Sequence, residues 1–361
     1  MSATLDPQQA LAEAAGAGVH CLPIPTPFLV GRVNCYLIED DPLTLVDTGP
    51  NSGKALDELE RALAAHGRRV EDLELIVVTH QHIDHIGLLE VLARRSGAEV
   101  AALDRLAGYL GDYRRAAELD DEFAVALMLR HGIPAEMTQA LRSVSAAFRG
   151  WGSGATITRP LVDGTTLELR DRSLEVLHRP GHSPSDTVFW DARRELLLGG
   201  DHLIKHISSN PLVARPLDGE ADAAKSGAGP ASGGRAAPDG TRPQALRTYI
   251  ASLRATRELP ARIVLSGHGE PVTEHRALID ERFALTARRA RKMHGLLAEG
   301  PLTAHELAQR MWGNVAVTQA FLTLSEVLGH LDLLEAEGKV REREAEGGVV
   351  RFAAVAAPDT A

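Results

Sequence analysis

The segment Thr79-His80-Gln81-His82-Ile83-Asp84-His85 places three imidazoles and one carboxylate within six consecutive positions. It follows the largely apolar run 73–78, which is short, rich in β-branched residues and bounded by polar ones, as in a buried strand. Residues 86–95 then have helical periodicity, and Gly97 closes the predicted helix. The polar residues therefore lie on a loop from strand to helix, where α/β proteins usually hold their ligands.

The spacing within this loop is typical of a metal site. On so tight a loop His80 and His82 point the same way, while Asp84 and His85 can turn toward a neighbouring point. A lone histidine in a loop is usually an ordinary polar residue. Several imidazoles and a carboxylate crowded together need a cation to be stable. The spacing suits two adjacent metal positions better than one.

One loop cannot complete two coordination spheres, so other strand ends should supply further ligands. Three candidates follow apolar runs and have glycine beside them, which lets the backbone turn and approach closely. These candidates are His182, Asp201 and His268. A Gly-His pair after a strand is by itself more often a structural turn, but together with the loop the three complete a plausible ligand set.

With these positions the chain resembles the metallo-β-lactamase superfamily, whose pattern is His-x-His-x-Asp-His followed by a distant His, an Asp and a final His. The resemblance implies an α/β fold, the αββα sandwich, with a catalytic domain at residues 19–294. It assigns one metal to His80, His82 and His182 and the other to Asp84, His85 and His268, with Asp201 bridging both. In the family, the aspartate that matches Asp47 lies behind the loop at residues 79–85, which we call the metal loop, and supports it.

Departures from relatives narrow the expected activity. Class B β-lactamases with the three-histidine site carry a cysteine in place of Asp201 and lack a match to His85, so antibiotic hydrolysis is disfavoured. Flavodiiron proteins carry an acidic residue in place of His82 and append a flavodoxin module, for which no segment is present. Glyoxalase II enzymes commonly have two glycines after the loop, whereas Gly87 is followed by Leu88, which weakens a glutathione thioester substrate.

Two interruptions separate the candidate ligands. Residues 103–151 are rich in Ala, Leu and Arg and predict short helices broken at 132–134, which we interpret as an insertion that caps the substrate pocket. Residues 219–243 have the composition of a linker and predict a flexible loop. Before it, Lys205 and His206 follow Asp201 closely enough to reach a substrate oxygen, although an exposed polar loop explains them as well.

Residues 295–355 predict a second module. Thr303 and Glu306 form a capping box, a second helix follows at about 317–337, and a β-hairpin turns at 346–348. This order resembles a winged-helix module, and the combination resembles the β-lactamase-like protein 2 group, which includes an endoribonuclease and thioesterases. The stretch holds five Lys or Arg against nine Asp or Glu. Because that sign repels phosphates, packing against the catalytic domain or a second subunit, as in a homodimer, is the better interpretation.

Composition limits the setting and the partners. The formal net charge of −10 and a pI near 5.8 argue against a broad polyanion-binding surface. No apolar stretch is long enough to span a membrane, and the N-terminus lacks the pattern of a signal peptide, so a cytoplasmic location is expected. The two cysteines, Cys21 and Cys35, have no ligand-like setting and are predicted to be buried free thiols rather than a disulfide.

The sequence therefore predicts a hydrolase with two Zn²⁺ ions, although iron or manganese is chemically reasonable. A water bridging the ions would attack a thioester, ester or lactone, and Asp84 would orient that water or pass a proton to the leaving group. The expected substrate is a small molecule or an acyl group linked to CoA or a carrier. The alternatives are a metal-dependent endoribonuclease, disfavoured by charge, and a ligand-sensing regulator whose tail binds DNA, disfavoured by the complete ligand set.

Overall fold

The computed structural model describes residues 5–217, 242–315, 319–345 and 347–355. The predicted flexible loop 219–243 lies outside these residues except for its last two positions. The described part of the chain contains two mixed β-sheets of six and five strands and a separate two-stranded hairpin.

The first sheet comes from the N-terminal half of the chain. Its strands, in spatial order, are β1 (Val19–Ile24), β2 (Val33–Ile38), β3 (Thr44–Val46), β4 (Leu75–Val77), β5 (Glu99–Leu103) and β6 (Arg159–Leu161). The first three strands pair antiparallel, and β3 through β6 pair parallel.

The second sheet follows in the chain and packs on the first. Its strands, in spatial order, are β11 (Ile263–Ser266), β10 (Leu196–Gly200), β9 (Thr187–Asp191), β8 (Ser173–His178) and β7 (Thr166–Glu168). Only β10 and β11 are parallel. The hairpin pairs β12 (Val340–Glu344) with β13 (Val350–Ala354) in antiparallel register.

Eleven α-helices lie in the described residues. They are α1 (Pro7–Gly16), α2 (Gly53–Ala65), α3 (Ile83–Ile86), α4 (Leu89–Ser96), α5 (Ala107–Gly111), α6 (Tyr113–Arg130), α7 (Ala135–Phe148), α8 (Ala245–Glu258), α9 (His275–Leu297), α10 (Ala304–Trp312) and α11 (Ala320–Ala336). Helices α2 and α4 cover the outer face of the first sheet, and α8 and α9 cover that of the second.

Alternation along the strands produces this layering. In β4, Leu75 and Val77 face the core between the two sheets, whereas Ile76 faces the helices. In β10, Leu198 faces this same core between the sheets, together with Phe189 of β9, whereas Leu197 packs against α8. Successive side chains of a strand point to opposite faces, so a strand covered on both sides must be apolar throughout. The αββα sandwich expected from the sequence is the observed architecture.

The stretch between β5 and β6 holds helices α5, α6 and α7, with a break between Arg130 and Ala135. Helices α10 and α11 and the hairpin follow α9, and α10 begins at the Thr303/Glu306 capping box. Leu127 and Met128 of α6 belong to the same core as these C-terminal elements. The stretch that we interpreted as a cap therefore also contacts the C-terminal region.

The prediction of one continuous helix at 86–95 is wrong. The chain forms α3, then a break at Gly87 and Leu88, and then α4. Gly87 is pressed against the backbone, since an added Cβ would lie 2.2 Å from the Asn51 nitrogen and 2.4 Å from the Trp151 carbonyl oxygen. Periodicity in the sequence cannot reveal this approach of a distant loop. The strand is also shorter than the predicted 73–78.

No helix in the described ranges is long and apolar enough to cross a membrane.

Candidate metal centre

The loop after β4 brings His80 and His82 to the edge of the first sheet, and His182 reaches the same point from the loop after β8. The His80 Nε2 atom lies 3.0 Å from His82 Nδ1, and His182 Nε2 lies 2.9 Å from that same Nδ1. The three rings meet edge to face, with centroids 4.6 to 5.3 Å apart. Three imidazole nitrogens thus point at a common position.

A second group lies beside the first. Its members are Asp84 and His85 from the metal loop, Asp201 after β10, and His268 after β11. The His268 Nε2 atom lies 3.4 Å from both Asp84 Oδ2 and Asp201 Oδ2. Asp201 also faces the first group, with its Oδ2 atom 3.6 Å from His182 Nε2. The Asp201 carboxylate therefore lies between the two groups.

All seven residues predicted from the sequence meet at this edge of the sandwich. Their ligand atoms form three groups, each within 4.8 Å, namely His80 with His82 and His182, His80 with His85 and Asp201, and Asp84 with His85 and His268. His80 and His85 each appear in two groups, so the groups are continuous. Two of these groups contain the residues of the two sets that the family resemblance implies, and the assignment of a metal to each set stays a prediction.

The residues fit a bound metal. His85 Nε2 and Asp201 Oδ1 are buried and lie 3.4 Å apart, and neither makes a hydrogen bond to a described residue. Such orphaned polar atoms are costly unless an ion or water satisfies them. The donor set of imidazole and carboxylate suits Zn²⁺, and also iron or manganese. Divalent metal is therefore the group that this chemistry and this geometry support.

The tautomers are arranged for metal binding. In four histidines Nδ1 donates a hydrogen bond away from the cluster, which leaves the Nε2 lone pair facing it. The acceptors are Thr79 Oγ1 for His80, Asp47 Oδ2 for His85, the Asn210 carbonyl for His182 and the Arg32 carbonyl for His268. His82 instead directs Nδ1 into the cluster.

Burial and charge act differently on the imidazoles. Burial lowers the pKa of His80 well below its usual value and that of His82 to about 3, so both rings are neutral near pH 7. Burial also lowers the pKa of His268, but Asp201 and Asp84 outweigh it and raise the value to about 9. Carboxylates are thus concentrated in the second group, where a cation would replace the protons.

Asp47 supports the metal loop from behind. Its carboxylate accepts hydrogen bonds from the Thr79 nitrogen at 2.9 Å, the Thr79 hydroxyl at 2.8 Å and His85 Nδ1 at 2.7 Å. Its backbone φ of 60° lies in the left-handed region, which aspartate tolerates better than most residues. These contacts match the position that the resemblance implied for Asp47.

The His268 loop is held by the first sheet, which the sequence did not predict. Asn34 in β2 donates its side-chain amide to the carbonyls of Ser266 at 3.0 Å and Gly269 at 2.9 Å. The Tyr36 hydroxyl also donates to Ser266, at 2.6 Å. Gly267 must lack a side chain, because a Cβ there would lie 2.2 Å from Asp201 Oδ1. The available signal was a single amide within the apolar strand 33–38.

The His182 loop has its own support. Asp186 is buried and accepts from the Ser183 nitrogen at 2.9 Å and the Ser183 hydroxyl at 2.7 Å. Burial raises the pKa of Asp186 to about 6. The Ser185 hydroxyl bonds the side chain of Gln81, so the turn that carries His182 is tied directly to the metal loop. Ser185 and Gln81 were not singled out from the sequence.

Other candidates fall outside the cluster. Lys205 is exposed and pairs with Glu270 at 2.8 Å, and the His206 ring lies against Gly269, beside His268. Both cysteines are free thiols, and Cys35 is buried while Cys21 is partly so. This confirms the prediction of free thiols.

The family model described as "Metallo-beta-lactamase superfamily" matches residues 29–268. This chain belongs to that superfamily. The probable metallo-hydrolase YqjP of Bacillus subtilis is 33% identical over 334 residues, 92% of this chain and 97% of that protein. The crystal structure of the metallo-beta-lactamase family protein TTHA1429 from Thermus thermophilus has a TM-score of 0.74 at 27% identity, and the match covers 94% of this chain and 99% of that one. The chain is thus similar to a metallo-hydrolase along nearly its whole length.

One relative whose description gives an activity matches only part of this chain. The human acyl-coenzyme A thioesterase MBLAC2 is 30% identical over 132 residues, which is 35% of this chain and 40% of that protein.

Proposed function

We propose that this protein is a binuclear metal-dependent hydrolase that acts on a thioester, an ester or a lactone. The observation that carries the proposal is the convergence of seven imidazole and carboxylate side chains on one edge of the sandwich, with Asp201 between two groups. A single cation would not need ligand atoms spread over three overlapping groups. Two cations sharing one carboxylate account for all of them.

Each proposed metal has a defined ligand set. One is held by His80, His82 and His182, the other by Asp84, His85 and His268, and Asp201 serves both. We propose zinc, because its usual protein ligands are the types present, with iron or manganese as alternatives. When bound, a metal pair lowers the pKa of water toward 7 and polarises a substrate oxygen, which supplies the nucleophile and the electrophilic activation.

The protein's own side chains then position the attacking water and protonate the leaving group. Asp84 is buried, and one of its oxygens contacts His268. In the proposed mechanism Asp84 orients the attacking water or passes a proton to the leaving group. The Asp47 carboxylate holds the His85 ring and the start of the metal loop, which keeps this half of the centre rigid.

A small acyl substrate, free or linked to CoA or a carrier, agrees with the charge of the chain. Its net charge of −10 disfavours extended polyanions, and aromatic residues that could stack with bases make up only 4%. The thioesterase named among the relatives acts on acyl-CoA by its description, which favours a thioester.

Endoribonuclease activity is the second candidate, and one observation favours it. Arg288, Arg291 and Lys292 of α9 are exposed and form a basic patch leading to the C-terminal elements. The same patch could hold the phosphates of a CoA or carrier arm. A DNA-binding regulator is less favoured, since residues 295–355 are acidic.

The domain organisation belongs to the proposal. We assign residues 19–294 to the catalytic domain and 295–355 to a winged-helix-like module, since α10, α11 and the hairpin follow one another as in such modules. We also propose that the protein belongs to the β-lactamase-like protein 2 group, because of the order of its C-terminal elements. A cytoplasmic location and a homodimer are proposed from the features of the sequence described above.

One experiment tests the function. The purified protein is reconstituted with excess zinc, its metal content is measured, and it is assayed on acyl-CoA, ester, lactone and single-stranded RNA panels. We expect close to two equivalents of zinc and carbonyl hydrolysis well above RNA cleavage. One equivalent or less contradicts the binuclear site. Efficient RNA cleavage without carbonyl hydrolysis, abolished in Asp84→Ala, would replace the proposal with the nuclease.

A further inference from the structure

Residues 207–217, which we call the bridging segment, run from the vicinity of the metal centre into the C-terminal region. The segment begins shortly after Asp201, a proposed ligand, and has no regular secondary structure. Connecting segments usually run over the surface and are more mobile than the elements that they join. Here its contacts reach both a proposed metal ligand and the core of the C-terminal helices.

At one end the bridging segment holds the His182 ring. The Asn210 carbonyl accepts a hydrogen bond from His182 Nδ1 at 3.1 Å, and the Leu212 nitrogen donates to the His182 carbonyl at 3.4 Å. The first bond fixes the tautomer and the orientation of the ring, so that Nε2 faces His82 and Asp201. The His182 side chain is 12% exposed, whereas His80 and His85 are almost completely buried, so packing constrains His182 less than it constrains those two rings.

At the other end the bridging segment is anchored in α11. The Asn210 side-chain amide donates to the Leu322 carbonyl at 3.2 Å, and the Val213 nitrogen donates to the Ser325 hydroxyl at 3.2 Å. Val213 is fully buried in the core that holds Leu324, Val327 and Leu328 of α11. Asn210 therefore bonds the metal ligand with its backbone and the C-terminal helix with its side chain.

We infer that helix α11 positions the metal centre, with Asn210 and Ser325 as positioning residues that hold His182 in its ligating orientation. The inference rests on the proposed metal centre. An outer hydrogen-bond partner of a metal-bound histidine typically contributes about 10- to 100-fold in metal affinity. Removing the anchor leaves the Asn210 carbonyl in the chain but lets it move away from the His182 ring. The C-terminal region would then be part of the catalytic unit rather than an appendage.

The side chain of Asn210 points to positioning more than to stability. Its Oδ1 atom is buried and makes no hydrogen bond with the described residues. A buried acceptor without a partner costs free energy, which offsets part of what the bond to Leu322 contributes. The Asn210 side chain therefore contributes little net stability, and its main effect is to fix the position of the bridging segment.

The test uses the full chain and three variants. Asn210→Ala and Ser325→Ala each remove one anchor, and neither residue is a proposed ligand. Val350→Ala is the matched control, since Val350 is buried in the same core but lies on the hairpin and pairs with Glu344. Zinc affinities are measured by competition with a chelator, the cobalt-substituted proteins are compared by visible absorption, and thermal midpoints are recorded.

We expect Asn210→Ala and Ser325→Ala to weaken one of the two zinc sites about tenfold or more and to change its cobalt spectrum. Because both act through one segment, the double variant should lose less than the product of the two single losses. Val350→Ala should lower the thermal midpoint but keep both affinities and the spectrum.

Two results overturn the inference while the metal centre stands. One is wild-type zinc affinity and cobalt spectrum in both anchor variants. The other is an equal loss of affinity in Val350→Ala, which would reduce the effect to general stability. If the wild-type protein itself binds no zinc tightly, the proposed centre fails together with the inference.

Discussion

The two halves of the candidate metal centre are built differently. The half contributed by the first sheet lies on one loop, residues 79–85, and its ligands are nearly consecutive. The half contributed by the second sheet takes His182, Asp201 and His268 from three loops that are 19 and 67 positions apart. A contiguous set can be recognised from spacing alone, whereas each member of the dispersed set is ambiguous by itself and could be identified only together with the loop and the family resemblance.

The supports of the two halves differ as well. In the contiguous half, His85 donates to the Asp47 carboxylate, a charged acceptor fixed by two further bonds from Thr79. In the dispersed half, His182 and His268 donate to the backbone carbonyls of Asn210 and Arg32. A carboxylate gives a stronger hydrogen bond than a neutral carbonyl. The dispersed half instead depends on where distant segments of chain are held.

The largest effect is expected at Asp201 of the dispersed half, which lies between the two proposed metal sites. Asp201→Ala should release both metals and lower activity by more than about a hundredfold, the upper range for loss of an outer partner, because Asp201 is the proposed shared ligand. The fold should survive, since β10 does not depend on this side chain. Metal analysis, turnover and thermal unfolding check this, with exposed Asp171→Ala as the matched control. Wild-type turnover in Asp201→Ala would show that Asp201 is not shared by the two metal sites.

The next effect concerns the support of the contiguous half. Asp47→Asn keeps the shape and tolerates the φ of 60°, but it removes the negative charge behind His85. We expect about 10- to 100-fold weaker binding of one zinc, less than for Asp201→Ala, with little change in the other. Chelator competition and the cobalt spectrum measure this. Equal weakening of both sites would mean that Asp47 supports the whole loop 79–85 and not His85 in particular.

A smaller effect is expected where helix α7, in the stretch that we interpret as a cap over the substrate pocket, contacts the loop before β2. Phe148 at the end of α7 contacts Phe28, on the loop before β2 whose Arg32 holds His268, with ring centroids 5.7 Å apart. Phe148→Ala should raise KM for long-chain acyl substrates about two- to tenfold, the range for an aromatic pair, without loss of metal. Val144→Ala, exposed on the same helix, is the control.

Unchanged KM across chain lengths would reduce the contact between Phe28 and Phe148 to a surface feature. Replacing the whole of residues 103–151 is a poorer test of a cap. It would also remove Leu127 and Met128 from the C-terminal core.

The smallest effect should come from surface charge. Reversing Arg288, Arg291 and Lys292 to glutamate should lower kcat/KM for CoA-linked substrates a few-fold and leave neutral esters unchanged, because exposed charges are screened. The difference should shrink as salt rises. Arg289 is left intact, since it pairs with Glu326. An equal loss on neutral esters would show structural damage instead of phosphate recognition.

Much of the fold could be predicted because its signals are local. A strand that is covered on both faces, such as β4 or β10, must be apolar throughout, and such a run is visible in the sequence. The capping box at Thr303 and Glu306 likewise marks the start of α10. The break at Gly87 was missed, since it arises from contact with Asn51 and Trp151, which are far away in sequence. Composition and periodicity contain no information on such an approach.

The sequence by itself determined the seven candidate ligands, because residue type and spacing limit which side chains can share a cation. The layered architecture was implied by the family resemblance that these residues carry, and the apolar runs of strand length agree with it. Only the tertiary structure decided how those ligands are held. Asn34, Asp47 and Asn210 act across sequence separations of 28 to 235 positions, and Asn210 connects His182 to a C-terminal helix. Hydrogen bonds of this kind depend on distances that appear only once the sheets and helices have packed.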